Sequence, residues 1–303
     1  MAIRTISALL ALLTIASASP RQPRSCGHTG ATTAEIKCPI IFDGRIKSAL
    51  TATDFDSSST SPFNPDYVKG QGLKWSDIIL FPTDAGTSRF DSAGDANATA
   101  EYKPLEVTIS DKSIFQNQNG FRRAGLQFQG DSNNDSPAVK GVKTIHFSVK
   151  LDPTRPFNLS HEYLNVWHEA ADYSANQFNF QTGTIIGQTG LPKDTWKVLN
   201  RQNRQIWSTP IERSDWQNFA ITLDFDKNTL QVYYSKGNDP LKSVTSAVAN
   251  DNSGAGQYQV GILKKPTGTS DVVNSGFQER YLNEGLIYGG LFIENSNGGC
   301  VSL

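Results

Sequence analysis

The most informative stretch of the sequence, residues 161–184, places amide side chains at alternating positions. In its second half, Gln177, Asn179 and Gln181 point to one face of a predicted strand, and the residues between them, mostly aromatic, point to the other. Each amide offers a donor and an acceptor, so a row of amides can hydrogen-bond neutral polyols such as sugars. The pattern therefore predicts a sugar-binding surface, although an ordinary solvent-facing sheet surface has the same alternation.

The first half of this stretch adds an indole and a carboxylate. Trp167 and Glu169 share one face of a second predicted strand, and residues 170–175 form the turn that joins the two strands into a hairpin. An indole presents a flat apolar face on which a sugar ring can stack. A carboxylate beside a row of amides is the layout of a saccharide cleft.

A second polar row lies upstream. Arg123, Gly125, Gln127 and Gln129 share one face of a predicted strand, and mostly apolar residues occupy the other face. If this strand lies beside the hairpin, the two rows form one polar cleft floor. A surface salt bridge is the alternative role for the arginine.

The elements that must position these rows are all β. Strand-like runs of about four to eight residues alternate with clusters of Gly, Asp, Asn, Pro and Ser along the whole chain. We therefore predict an all-β fold, a β-jelly roll or two-sheet antiparallel sandwich with a concave polar cleft. The formal net charge of −1 gives no indication of a nucleic-acid or acidic-membrane partner.

The start of the chain reads as a secretory signal. Residues 1–18 hold a basic Arg4, an apolar run and a small-residue cleavage site, and the run is too short to span a bilayer. Residues 19–37 are predicted to be a flexible arm, and residues 38–303 a single domain. We expect a secreted monomer without a cofactor.

Three cysteines fit an oxidising compartment. Cys38 and Cys300 flank the predicted domain, and we favour a disulfide between them, with Cys26 left in the arm. A Cys26–Cys38 bridge is the alternative. The spacing resembles no metal site. Three sequons predict surface loops that accept glycans, at Asn97, Asn134 and Asn158.

Six segments of the chain resemble the fungal glycoside hydrolase family 131. They are CPIIFDGRI, SPFNPDYVKGQGLKWSDIILFP, FRRAGLQF, HEAADYSANQFNFQTGT, WQNFAITLDF and GGLFIENSNGGCVSL. The resemblance covers residues 38–303. It implies a β-jelly roll with a broad cleft, secretion, and activity on the β-1,3, β-1,6 and β-1,4 linkages of cell-wall β-glucans.

The resemblance also implies a catalytic pair of glutamates on the cleft floor. Glu169 matches one of them. The other falls in an Arg-Arg-Ala-Glu-Leu-like motif, and this chain has Gly125 at the glutamate position. A glycosidase ordinarily needs one carboxyl as acid and one as nucleophile or base, and glycine supplies neither.

Three other carboxylates are candidates to replace the missing one. Glu162 is expected to face away from Glu169, Asp172 lies in the adjoining turn, and Glu294 lies on a late strand. Three functions are therefore considered. They are a β-glucan hydrolase, a β-glucan-binding protein that has lost hydrolysis at Gly125, and a polysaccharide lyase, which would need a cationic cleft.

Overall fold

The protein folds into two antiparallel β-sheets. The structure, a computed structural model, describes residues 34–92 and 101–303. The predicted signal peptide, most of the arm, Cys26 and Asn97 lie outside the described residues. In the described ranges no helix is long and apolar enough to cross a membrane.

Strands dominate the described chain, and its helices are short 3₁₀ turns. The strands are β1 (Ile40–Asp43), β2 (Ile46–Lys47), β3 (Ile79–Leu80), β4 (Tyr102–Lys103), β5 (Leu105–Ser110), β6 (Arg122–Leu126), β7 (Val142–Leu151), β8 (Glu162–Glu169), β9 (Asn176–Gly183), β10 (Thr195–Asn200), β11 (Gln205–Pro210), β12 (Gln217–Asp224), β13 (Thr229–Lys236), β14 (Lys242–Ser243), β15 (Val248–Ala249), β16 (Gln257–Lys264) and β17 (Asn283–Asn295). The 3₁₀ helices are Ala52–Asp56, Trp75–Asp77, Thr83–Ala85, Pro137–Val139 and Asn297–Gly299.

The strands form a sandwich. One sheet has nine strands in the order β14-β13-β12-β7-β17-β5-β3, with β1 paired to β17 and β15 paired to β13. The other has six strands in the order β11-β10-β9-β8-β16-β6, and β2 pairs with β4 separately. This arrangement confirms the predicted all-β, two-sheet antiparallel fold.

The main core lies between the two sheets. Phe178 and Phe180 of β9 point into it, and the ring of Phe180 meets that of Phe147 on β7 with 4.9 Å between centroids. Burying one such side chain stabilises the fold by roughly 1.5–3 kcal/mol. Because side chains alternate along a strand, the six-stranded sheet has an opposite, outer face on which polar side chains collect.

The disulfide that we favoured is present. Cys38 and Cys300 are bonded with their Cα atoms 5.9 Å apart, across a sequence separation of 262 residues. The bridge ties the first strand region to the chain end. Closing so long a loop restricts the unfolded chain, and a bridge of this kind typically contributes about 2–5 kcal/mol.

Candidate active site

A cleft of about 460 Å³ opens on the outer face of the six-stranded sheet. Its floor comes from three neighbouring strands, with Arg123 on β6, Gln259 on β16 and Glu169 on β8. Its walls come from residues 66–68, from residues 115, 116 and 118, and from Tyr173 in the β8–β9 turn. The structure thus brings the two predicted polar rows to one place, with β16 between them.

Gln259 connects the carboxylate to the guanidinium. Its Nε2 donates to Glu169 Oε2, and its Oε1 accepts from Arg123 Nη2 at 3.3 Å. Arg123 Nη1 also donates to Gln118 Oε1 at 3.0 Å. Only this orientation of the Gln259 amide gives both neighbours a suitable partner, so the amide fixes the direction of the carboxylate.

Burial governs the protonation of the Glu169 carboxyl. Desolvation raises the pKa of Glu169, and the positive charge of Arg123 and the Gln259 hydrogen bond oppose that rise. Burial also lowers the pKa of the Arg123 guanidinium. Glu169 is therefore a carboxyl that holds its proton to higher pH than an exposed glutamate does.

We expect Arg123→Gln to raise the pKa of Glu169 further, because the substitution removes the nearby positive charge that favours the carboxylate. An NMR titration of the Glu169 side-chain carboxyl would measure the shift. Arg122→Gln is the matched control, since Arg122 donates to the carbonyl oxygens of Asn119 and Phe121. An unchanged Glu169 pKa in Arg123→Gln would contradict this electrostatic account.

Gly125 lies on the outer face of β6, directly opposite Gly261 of β16. A Cβ atom built on Gly125 would lie 3.4 Å from Gln259 Oε1 and 4.0 Å from Trp167 Cη2, which are ordinary contact distances. The backbone N–H of Gly125 donates to the Val68 carbonyl at 2.9 Å. A side chain at this position would thus be directed toward the group that holds Glu169.

A chain of side-chain hydrogen bonds ends at Tyr67 in the cleft wall. Asn64 Nδ2 donates to Gln127 Oε1 at 2.9 Å, Gln127 Nε2 donates to Gln257 Oε1, and Gln257 Nε2 donates to the Tyr67 hydroxyl. Burial, and then the charge of Glu169, raise the pKa of Tyr67, which keeps its phenol protonated. Gln127 therefore supports the cleft wall through its neighbours.

Gln129 lies elsewhere than its spacing predicts. Strand β6 ends at Leu126, and Gln129 is an exposed turn residue whose N–H donates to the Pro62 carbonyl at 2.9 Å. The alternation that would have carried its side chain into the cleft stops before it. The expected row is reduced to Arg123 and Gly125 on β6, with Gln127 directly after the strand.

The predicted amide row on β9 is broken by a bulge. Asn176 pairs with Glu169 and Phe178 pairs with His168, so Gln177 is an extra residue between them. Its Oε1 accepts from His168 Nδ1 at 2.7 Å, and its Nε2 donates to the Ser253 and Ala255 carbonyls. Gln177 is therefore not part of the outer row as expected, because it supports a buried histidine.

The rest of the β9 row remains on the outer face. Asn179 pairs with Trp167 of β8, and Gln181 pairs with Lys197 of β10. Asn179 Oδ1 accepts from Asn176 Nδ2 at 2.6 Å. Both side chains are buried, with Asn179 4% and Gln181 2% exposed, and neither lines the cleft. Their contact with a sugar therefore stays a prediction.

Trp167 is on the predicted face but is covered. Its side chain is only 1% exposed and packs in an apolar cluster with Phe121, Leu164 and Leu263, against Val272. It cannot serve as the open stacking surface that we expected, because the segment after β16 covers the ring. Trp75 and Trp196 are buried in the main core.

The substitute carboxylates lie outside the cleft. Glu162 was expected to face away from Glu169, but a bulge between Leu164 and Val166 returns it to the outer face, where it binds Lys265 Nζ at 2.6 Å. Its position is roughly 23 Å along the strand from Glu169. Asp172 is exposed and caps the turn at Ser174.

Glu294 belongs to the nine-stranded sheet. Its carboxylate is fully buried, accepts from Ser302 and pairs with His146 Nε2 at 2.9 Å.

The carboxylate that our sequence analysis missed is Asp66, an exposed residue that lines the cleft with Glu169. It comes from a loop without periodicity, and its only sequence signal was membership of the SPFNPDYVKGQG segment.

Two of the three sequons lie in the described chain, and both asparagines are exposed. Asn134 is in a turn after β6, and Asn158 precedes β8 with its Nδ2 donating to Glu279. Their exposure leaves glycosylation at both sites a prediction.

One family model matches most of the chain, and two solved structures of that family have a similar fold. The model for the glycoside hydrolase 131 catalytic N-terminal domain matches residues 40–299. The fold resembles a GH131 β-glucanase catalytic domain from Podospora anserina, with a TM-score of 0.68 and 20% identity over 87% of this chain and 98% of that one. It also resembles the catalytic domain of the family 131 protein from Coprinopsis cinerea, with a TM-score of 0.64 and 22% identity over 87% and 97%. Among curated proteins no relative matches the sequence.

Proposed function

Because the chain belongs to glycoside hydrolase family 131, we propose that it is a β-glucanase that cleaves its substrate at Glu169. The observation that carries the proposal is the position of this carboxyl on the floor of the cleft, oriented by Gln259 and beside Arg123. The solved relative from Podospora anserina is described as a β-glucanase, which supports the substrate class.

Glu169 has the properties of a catalytic acid. Burial raises its pKa, so it can hold a proton and deliver that proton to the glycosidic oxygen as the bond breaks. The other half of the reaction needs a second carboxyl, as nucleophile or as base toward water. Gly125 cannot provide it, and among the described residues that line the cleft the other carboxylate is Asp66.

Glucan binding without efficient hydrolysis is the second candidate function, and Gly125 is the observation that favours it. The cleft keeps its polar floor and its carboxylate Glu169, so it can bind a saccharide even if turnover is slow. Either function requires the same ligand. We therefore propose a β-glucan partner, with β-1,3, β-1,6 and β-1,4 linkages of cell walls as the substrate range.

Secretion and action as a monomer form part of the same proposal. The Cys38–Cys300 disulfide supports an oxidising compartment, where such bridges persist. The exposure of the sequon residues Asn134 and Asn158 also fits a secreted protein.

Assays on two polysaccharides test the proposed activity. We expect new reducing ends from laminarin, a neutral β-glucan, and no cleavage of glucuronan, an acidic one. Unsaturated products from glucuronan would instead indicate a lyase. Retention on insoluble β-glucan without new reducing ends would indicate a binding protein.

A further inference from the structure

Two tyrosines of the described chain hold highly exposed side chains on an unusual backbone. Tyr173 is 64% exposed and Tyr281 is 92% exposed, and both have φ of 61°. Bulky residues rarely adopt this left-handed conformation, and such outliers concentrate at binding sites. Only Tyr173 lines the cleft that contains Glu169.

The turn that carries Tyr173 is fixed by hydrogen bonds. The N–H of Tyr173 donates to the Ala170 carbonyl at 2.9 Å, and that of Ala171 donates to the Gly254 carbonyl at 3.0 Å. The far end of the side chain is held as well, since Asn133 Nδ2 donates to the Tyr173 hydroxyl at 2.7 Å. The ring is therefore held in place before any ligand arrives.

We infer that Tyr173 is a platform on which one glucosyl ring of a β-glucan stacks beside Glu169, an inference that rests on the proposed function. The apolar C–H face of a β-glucopyranose matches an open aromatic ring, whereas its hydroxyl groups need the polar partners on the cleft floor. Trp167 cannot provide this surface, because it is buried. A ring already held at both ends loses little freedom on binding, which favours affinity.

Affinity for a laminarin hexasaccharide, measured by calorimetry, tests the platform. The variants are Tyr173→Ala, Tyr173→Gly and Tyr173→Phe, each in the natural protein and in the Glu169→Gln background that prevents turnover. Tyr281→Ala is the matched control, since that tyrosine has the same φ and lies outside the cleft lining. Glycine adopts a φ of 61° freely, so Tyr173→Gly removes the ring without adding backbone strain.

We expect Tyr173→Ala and Tyr173→Gly to bind roughly tenfold more weakly, a loss on the scale of one aromatic stacking contact. Tyr173→Phe, which keeps the ring, should stay within about twofold of the natural affinity, because only the hydroxyl contact is lost. Tyr281→Ala should bind as the natural protein does. In an active enzyme the loss should raise KM and leave kcat nearly unchanged.

Natural affinity in both truncated variants would overturn the inference. Binding that depends on Tyr173 in a protein that releases no reducing ends would support the platform and reject the glucanase activity. Absence of any laminarin hexasaccharide binding by the natural protein would overturn both.

Discussion

Glu169→Gln should remove nearly all hydrolysis of laminarin while leaving glucan binding largely intact. The amide keeps the shape of the side chain, and its oxygen can still accept from Gln259 Nε2. It cannot hold or deliver a proton, and a positioned acid or base is typically worth roughly 10²–10⁴-fold in rate. Reducing-end release and glucan affinity, measured on the same preparations, separate these two effects.

Asp172→Asn is the matched control for this experiment. It makes the same chemical change in the adjoining turn, where the carboxylate is exposed and caps Ser174. We expect natural activity from it. If Glu169→Gln also retained natural activity, the cleavage chemistry would lie at another carboxyl, and Asp66 would be the next to replace.

The fold and the place of the cleft could be predicted because both depend on period-two alternation. The aromatic residues Phe178 and Phe180 required a buried side, and their alternation fixed the faces of β9. The positions of Cys38 and Cys300 at the domain ends favoured their disulfide.

Details of the site depend on bulges and long-range packing, which period-two alternation does not predict. One extra residue in a strand reverses the faces of everything beyond it, which explains the wrong predictions for Gln177 and Glu162. Long-range packing buries Trp167 beneath a segment far along the chain. Tyr67 and Asp66 come from a loop that reaches the cleft only in the folded protein.

Gly125→Glu should raise the rate of β-glucan hydrolysis, up to roughly 10²–10⁴-fold if the new carboxyl is well placed. We expect the natural protein to release reducing ends from laminarin only slowly, because Gly125 supplies no second carboxyl. The backbone accepts a side chain here, because an added Cβ meets only Gln259 Oε1 at 3.4 Å and Trp167 Cη2 at 4.0 Å. A second carboxylate near Glu169 should also raise the pKa of Glu169 further, which favours its role as the acid.

Two controls isolate the carboxyl group. Gly125→Gln fills the same space without an ionisable group, so it should fold equally well and give no gain in rate. Added formate or azide should stimulate the natural protein if the missing group acts as nucleophile or base, since a small anion can occupy the space left by the side chain. The same anions should not stimulate Gly125→Glu, whose own side chain fills that space.

Three hydrolysis rates therefore test whether the chain lacks a carboxyl at position 125. They are the rates of the natural protein, the natural protein with formate, and Gly125→Glu. A higher rate with formate and a higher rate in Gly125→Glu, with no increase in Gly125→Gln, would identify position 125 as the site of the missing carboxylate. Robust turnover by the natural protein, with Gly125→Glu no faster, would contradict that assignment. Asp66 would then be the second carboxylate, because it is the other acidic residue among those that line the cleft with Glu169, and Asp66→Asn should abolish the activity.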